Sequence, residues 1–325
     1  MTALARVVWS EGMHLAQHHF QAQSRYFEEL IHFTVSNLFY KPYGIVGIEM
    51  DAEALLNGTV AVTHARGVMP DGLIFNFPSD GLPSPLGIRD LFSPTQDSHL
   101  VLLGIPAFHP TRPNLDGAGM NGTGGRFVRV DESVIDEITG LDEKKVAVAR
   151  KNFRLLLDYQ AEEDLVTLPL ARIRRDGSGH FVYDPDYIPP TLRVGGSRRL
   201  LEMLSRLVDI LEAKAEALKA ERGAGDTERT LREVASFWLS HAVHSSLAPL
   251  RHQLATGEHH PEKLYIEMAR LAGALCTFSM TSHPRTIPAY DHDHLDQCFN
   301  ALDRHIREHL DVVIPTNAIA IPLQP

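Results

Sequence analysis

The sequence predicts an α+β chain: an N-terminal antiparallel β-sandwich with one leading helix, followed by an α-helical bundle. Three observations lead there. Short apolar runs of strand length, divided by Pro and Gly turns, fill the first half. Ile188-Pro189-Pro190 marks a sharp change in composition. Beyond it, four stretches repeat apolar residues at steps of three and four. We therefore divide the chain into a sandwich domain over residues 1–190, a four-helix domain over 191–313, and the start of a further domain over 314–325. Two full domains suit 325 residues at roughly 100–200 residues per domain.

The elements follow in order. From His18 to Leu38, the residues Phe20, Phe27, Leu30, Ile31 and Val35 recur near helical spacing, and Pro42 lies beyond the end. Strands are expected at Ile45 to Ile48, Thr59 to Thr63, Ile74 to Phe77, Leu100 to Ile105, Phe127 to Val130, Phe153 to Leu157 and Val166 to Ile173. Between them stand turns such as Pro70-Asp71-Gly72 and Asp176-Gly177-Ser178-Gly179, where Pro fixes φ and Gly accepts positive φ. After the Pro-Pro junction, a heptad stripe of Leu201, Leu204, Val208, Leu211, Ala215 and Leu218 runs through a helix over Gly195 to Glu221. The stripe fits either a seam between copies in a trimer or packing of the chain's own neck.

A second helix is expected from Asp226 or Thr227, burying Leu231, Val234, Trp238, Ala242 and Val243 until Pro249 disturbs it. A third opens on Pro261 and carries Leu264, Met268, Leu271, Leu275 and Phe278. A fourth, capped by Asp291 or Asp293, aligns Leu295, Phe299, Leu302, Ile306 and Leu310. The apolar ending Ile319 to Leu323 reads as the first strand of a domain that would follow.

Composition narrows the function. Hydrophobic residues make up 44% and charged residues 22%, enough apolar material for a packed core. The net charge of −10 disfavours a nucleic-acid partner, because an acidic surface repels phosphates. Two cysteines, Cys276 and Cys298, make no disulfide framework and suit a reducing, cytoplasmic setting. No apolar stretch approaches the roughly 20 residues of a membrane span, so direct insertion is not expected.

Catalytic motifs are sparse. His305, Glu308 and His309 fit H-x-x-E-H, the inverted zinc-protease pattern, with both His on one helix face and Glu as base. A third ligand is missing downstream, so the flank of a helix is the preferred reading, and no metal or cofactor is expected. A zinc-dependent hydrolase stays as an alternative function. Asp291-His292-Asp293-His294 reads as capping, and His241, His244, His252, His259 and His260 have no ligand spacing. Gly117 to Gly122 spells G-x-G-x-x-G, but prolines separate it from the preceding strand, which leaves a Gly-rich loop.

The most distinctive string has no catalytic reading. Val7-Val8-Trp9-Ser10-Glu11-Gly12-Met13-His14-Leu15, followed by Gln17-His18-His19-Phe20-Gln21, resembles the opening of the TssK (VasE/ImpJ) family of type VI secretion baseplate proteins. Gln17 and His18 stand where that family usually has Pro and Gln. Tyr43-Gly44-Ile45, Gly67-Val68-Met69-Pro70-Asp71-Gly72, Ile188-Pro189-Pro190, Trp238-Leu239-Ser240-His241 and Pro288-Ala289-Tyr290-Asp291-His292 continue the resemblance in the family's order.

The resemblance implies a shoulder like that of phage receptor-binding proteins, a helical neck and a homotrimer. It further implies binding to TssF and TssG, and a link to TssL and TssM through a head domain that this sequence lacks. A phage-derived binding module is the other alternative. From the residues themselves, Trp9, Glu11, Gly12, Met13, Leu15 and Phe20 form a candidate partner contact: an aromatic anchor, a close-approach Gly and an adaptable Met. The competing reading makes Trp9 a plug for its own sandwich.

Overall fold

In a computed structural model, residues 5–92, 96–116, 124–222, 230–279 and 281–310 are described. The Gly117–Gly122 loop and the tail from 311, both singled out in the sequence, lie outside them. Helix α1 (Gln17–Leu38) leads. Twelve strands follow: β1 (Gly44–Met50), β2 (Thr59–Val60), β3 (Val62–Val68), β4 (Ile74–Phe77), β5 (Leu86–Gly87), β6 (Ser98–Pro106), β7 (Leu115–Asp116), β8 (Phe127–Val134), β9 (Lys144–Lys151), β10 (Arg154–Leu157), β11 (Leu165–Arg175) and β12 (Phe181–Tyr183). A short helix α2 (Ala52–Leu56) sits after β1, its N-terminus capped by the Asp51 carboxylate on Ala54 N–H at 2.9 Å. Helices α3 (Arg198–Arg222), α4 (Thr230–Thr256), α5 (Pro261–Leu275) and α6 (Leu295–Leu310) follow among the described residues.

Two antiparallel sheets, ordered β1-β3-β4 and β10-β6-β11-β12, share one apolar core. Alternation supplies it: Ala65, Phe75 and Phe77 from the first sheet meet Leu103, Leu157, Leu168 and Ile173 from the second. Pro169 cannot donate to a ladder, and β11 shifts register against β6 between Pro169 and Ala171. The run read as one strand over Thr59 to Thr63 is two, β2 pairing with β5 and β3 with β1. Strand β9 was not expected, its short Val146–Ala149 run being flanked by Lys and Arg; it pairs with β8 in a ribbon that is mostly exposed on both faces.

The second core belongs to the helices. Leu204, Val208, Leu211 and Leu218 of α3 are buried in one core with residues of α4, α5 and α6, α3 itself packing on α4 and α6, and Leu201 is half-buried at the edge. These side chains serve the packing of the chain's own helices.

Two helical expectations need correction. In α4, Ala242 and Val243 are buried as expected, alongside Leu239, Ser246 and Leu250, but Val234 and Trp238 do not join them. Val234 and Trp238 are half-exposed, at 50% and 56%. Pro249 does not end α4, which continues to Thr256 with Leu250 fully buried behind it. Packing there outweighs the lost hydrogen bond. The Asp291 carboxylate accepts from Asp293 N–H at 3.0 Å in the turn before α6, and Asp293 reaches away from that helix altogether.

The halves meet around the Pro-Pro segment. Ile45 N–H donates to Pro190 O, Leu192 N–H donates to Ile45 O, and the Thr191 hydroxyl donates to the same carbonyl at 2.7 Å. Gly44, at φ +126°, passes so close that a Cβ would lie 2.7 Å from the Pro190 carbonyl carbon. Arg172 of β11 bridges Asp184 (3.3 Å) and Asp296 of α6 (2.8 Å).

Candidate interaction surface

The segment before α1 folds on itself. Gly12 at φ +75° closes a turn in which Met13 N–H donates to Ser10 O at 3.3 Å. This lays Trp9 against the first turn of α1, with ring centroids 6.1 Å from His19 and 6.2 Å from Phe20. Ala16 offers no cap, and its N–H donates instead to His19 Nδ1 at 3.1 Å. The Arg6 guanidinium donates to the Tyr26 hydroxyl at 3.0 Å and ties the segment further along the helix.

What α1 does not do is bury itself. None of its 22 residues is buried. Phe20, Phe27, Leu30, Ile31, Phe33 and Leu38 are all exposed, as are Trp9 and Leu15 before it. The helix touches segments that connect the strands, through the Arg25 guanidinium, 3.6 Å above the Phe108 ring, and through His32 over the Gly72 turn. Trp9 belongs to neither apolar core, so it is no plug for the sheets. Glu11 and Gly12 are exposed and Met13 is half-buried beside it.

A second cluster, which the sequence reading missed, binds the two halves. His292 is buried, with Nε2 donating to Tyr43 O (2.8 Å) and Nδ1 accepting from the Tyr290 hydroxyl (2.8 Å). The His260 ring stacks on it at 5.1 Å. Burial pushes His292 down to about 4 and lowers His260, so both are neutral at pH 7. Burial and the Asp293 carboxylate together raise Tyr43, whose hydroxyl donates to Asp293 at 2.5 Å. Nothing in the sequence spacing signals this, because Tyr43 and His292 meet only in the fold.

The remaining histidines stay apart. His241 packs on Trp238, and His252 on His259. His305 and His309 stack at 4.2 Å, while His309 Nδ1 donates to His305 O and Glu308 points to solvent. Burial, with His309 alongside, holds His305 below the usual imidazole range. Among the described residues no three His, Cys, Asp or Glu side chains gather as a metal site.

What the molecule offers is contact area and aromatic anchors, the equipment of an assembly protein. Comparison with known proteins gives the assembly. The model of the family described as bacterial type VI secretion, VC_A0110, EvfL, ImpJ, VasE, matches residues 19–325. The type VI secretion system baseplate component TssK1 of Pseudomonas aeruginosa is 32% identical over 98% of this chain and 71% of its own length. A TssK crystal structure superposes with TM-score 0.87 at 26% identity, covering 97% of this chain and 71% of the other. The TssK–TssF–TssG baseplate subcomplex, seen by cryo-electron microscopy, contains a chain matched at TM-score 0.85 and 28% identity over 95% of this chain and all of that one. The chain therefore belongs to this family and is a structural component of the type VI secretion baseplate. No described helix is long and apolar enough to cross a membrane.

Proposed function

We propose that the chain is a trimeric adaptor: its two sheets form a sandwich shoulder, its helices a neck, and its N-terminal surface meets other subunits. Trp9, Glu11, Gly12, Met13, Leu15 and Phe20 bind the TssF–TssG wedge, and Phe27 and Ile31 further along α1 contact a second copy. A head domain, when present, links this scaffold to TssL and TssM on the cytoplasmic side of the inner membrane. The role is mechanical and needs no catalysis, metal or cofactor.

One observation carries this reading: a 22-residue helix with large apolar side chains and no buried residue. Contiguous exposed apolar surface on that scale marks a binding site. The relative solved with TssF and TssG shares the fold over nearly the whole chain. The test is co-purification with co-expressed TssF and TssG. Trp9→Ala should cut capture at least tenfold with melting temperature nearly unchanged. Unchanged capture would refute the contact, and a collapse in melting temperature would make Trp9 a structural residue.

A further inference from the structure

The β8–β9 ribbon is built like a probe. Every residue from 131 to 147 is exposed, so neither face of the ribbon rests on the body beyond that point. An isolated two-stranded ribbon is marginal by itself. Yet the tip is shaped by its own bonds. Asp136 Oδ1 accepts from Ile138 N–H at 2.8 Å and Thr139 N–H at 3.3 Å, and Gly140 N–H donates to Asp136 O at 2.8 Å. Asp136 N–H returns to Leu141 O, while Gly140 and Asp142 both take positive φ.

This ordered turn displays Ile138 at 95% exposure and Leu141 at 69%, beside exposed Ile135 and Val134. Around them stand Asp136, Glu137, Asp142 and Glu143, with no basic residue between 134 and 143. Lys144 and Lys145 follow directly, in register with Val134 and Ser133, and further back Arg150 pairs with Glu132 at 2.8 Å and Arg129 with Asp131 at 3.8 Å. Glu137, Asp142 and Glu143 form no ion pair among the described residues.

We propose that this tip is a docking finger for the baseplate wedge, seating Ile138 and Leu141 in an apolar groove whose rim carries lysine and arginine. Charge complementarity selects such a partner, because four carboxylates ringing two aliphatic side chains need cations to enter an interface. A symmetric tip-to-tip contact between copies is disfavoured, because it would set carboxylate against carboxylate, and the labelling test below separates the wedge from any other surface of a second copy. The proposal rests on the wedge reading above but uses residues distinct from Trp9 and α1.

The full chain would be co-purified with TssF and TssG. Ile138→Ser with Leu141→Ser, and separately Glu137→Lys with Asp142→Lys, should each reduce capture at least tenfold. Wild-type capture should weaken as ionic strength rises from about 0.1 M to about 1 M, where screening shortens to a few ångströms. Because Cys276 and Cys298 are buried, Ile138→Cys provides one accessible thiol for iodoacetamide. Its labelling should be slowed by the wedge and not by concentrating the chain alone. If wild type is captured and the variants are captured equally well, the finger is wrong and the wedge reading stands. If wild type is not captured, both fall. Labelling unaffected by the wedge, or slowed by the chain itself, also overturns the finger.

Discussion

Helices α1 and α3 are both amphipathic in sequence, yet one buries its stripe and the other buries nothing. In α3 the stripe packs on α4 and α6 of the same chain, and Leu204 and Leu211 are fully enclosed. In α1 the comparable residues face outward, with Phe27 at 51% and Ile31 at 64% exposure. Periodicity reports that a face exists. It does not report whether the covering surface belongs to the same chain.

The contrast orders the expected effects of substitution. Leu211→Asp should be the most damaging, costing about 4 kcal/mol or more, since an unpaired carboxylate would enter a closed apolar core. Urea unfolding followed by circular dichroism measures it. Retention of wild-type stability would mean that the α3 core is not enclosed by its own chain.

Gly44→Ala comes next, at about 3 kcal/mol, because alanine is strained at φ +126° and its methyl would strike Pro190. Loss should appear as separate melting of the two halves, a weakness at the junction rather than in either core. An unshifted single transition would argue against that bridge.

Protonation of His292 should produce a similar or smaller effect. Its folded value near 4 lies below the ordinary 6.5, so between pH 6.5 and 4 the unfolded chain binds the extra proton. Stability is fully present above 6.5 and declines as pH falls through that window, by about 2–3 kcal/mol. Unfolding free energies between pH 7 and 4.5 should fall for wild type and flatten in His292→Gln, as far as this group is responsible. An equal slope in both would remove His292 from the account. The smallest effect on folding belongs to α1, where Phe27→Ser with Ile31→Ser should change subunit stability by less than about 1 kcal/mol.

Legibility in the sequence follows the same physical division. The heptad of α3, the apolar runs of β6 and β11, and the Pro261 start of α5 were readable because each is a local pattern tied to burial. In α4, Ala242 and Val243 were legible, whereas Trp238 outweighs Leu239 in apolar size although Leu239 is the buried residue. Strand β9 was not read, because its apolar run Val146–Ala149 is only four residues long between Lys144-Lys145 and Arg150-Lys151. The Trp9 segment stood out as unusual, but its place on α1 rather than in the sheet core depends on the turn at Gly12. The His292–Tyr43 contact joins residues 249 apart, and no local pattern encodes it.

The central claim is that α1 is covered by another molecule rather than by its own chain. Light scattering of the intact chain at micromolar concentration tests it most directly, beside Phe27→Ser with Ile31→Ser. The account predicts a trimer for the wild type, and for the variant a folded monomer with nearly the same helical circular dichroism. A monomeric wild type, or a variant that remains trimeric, would contradict it.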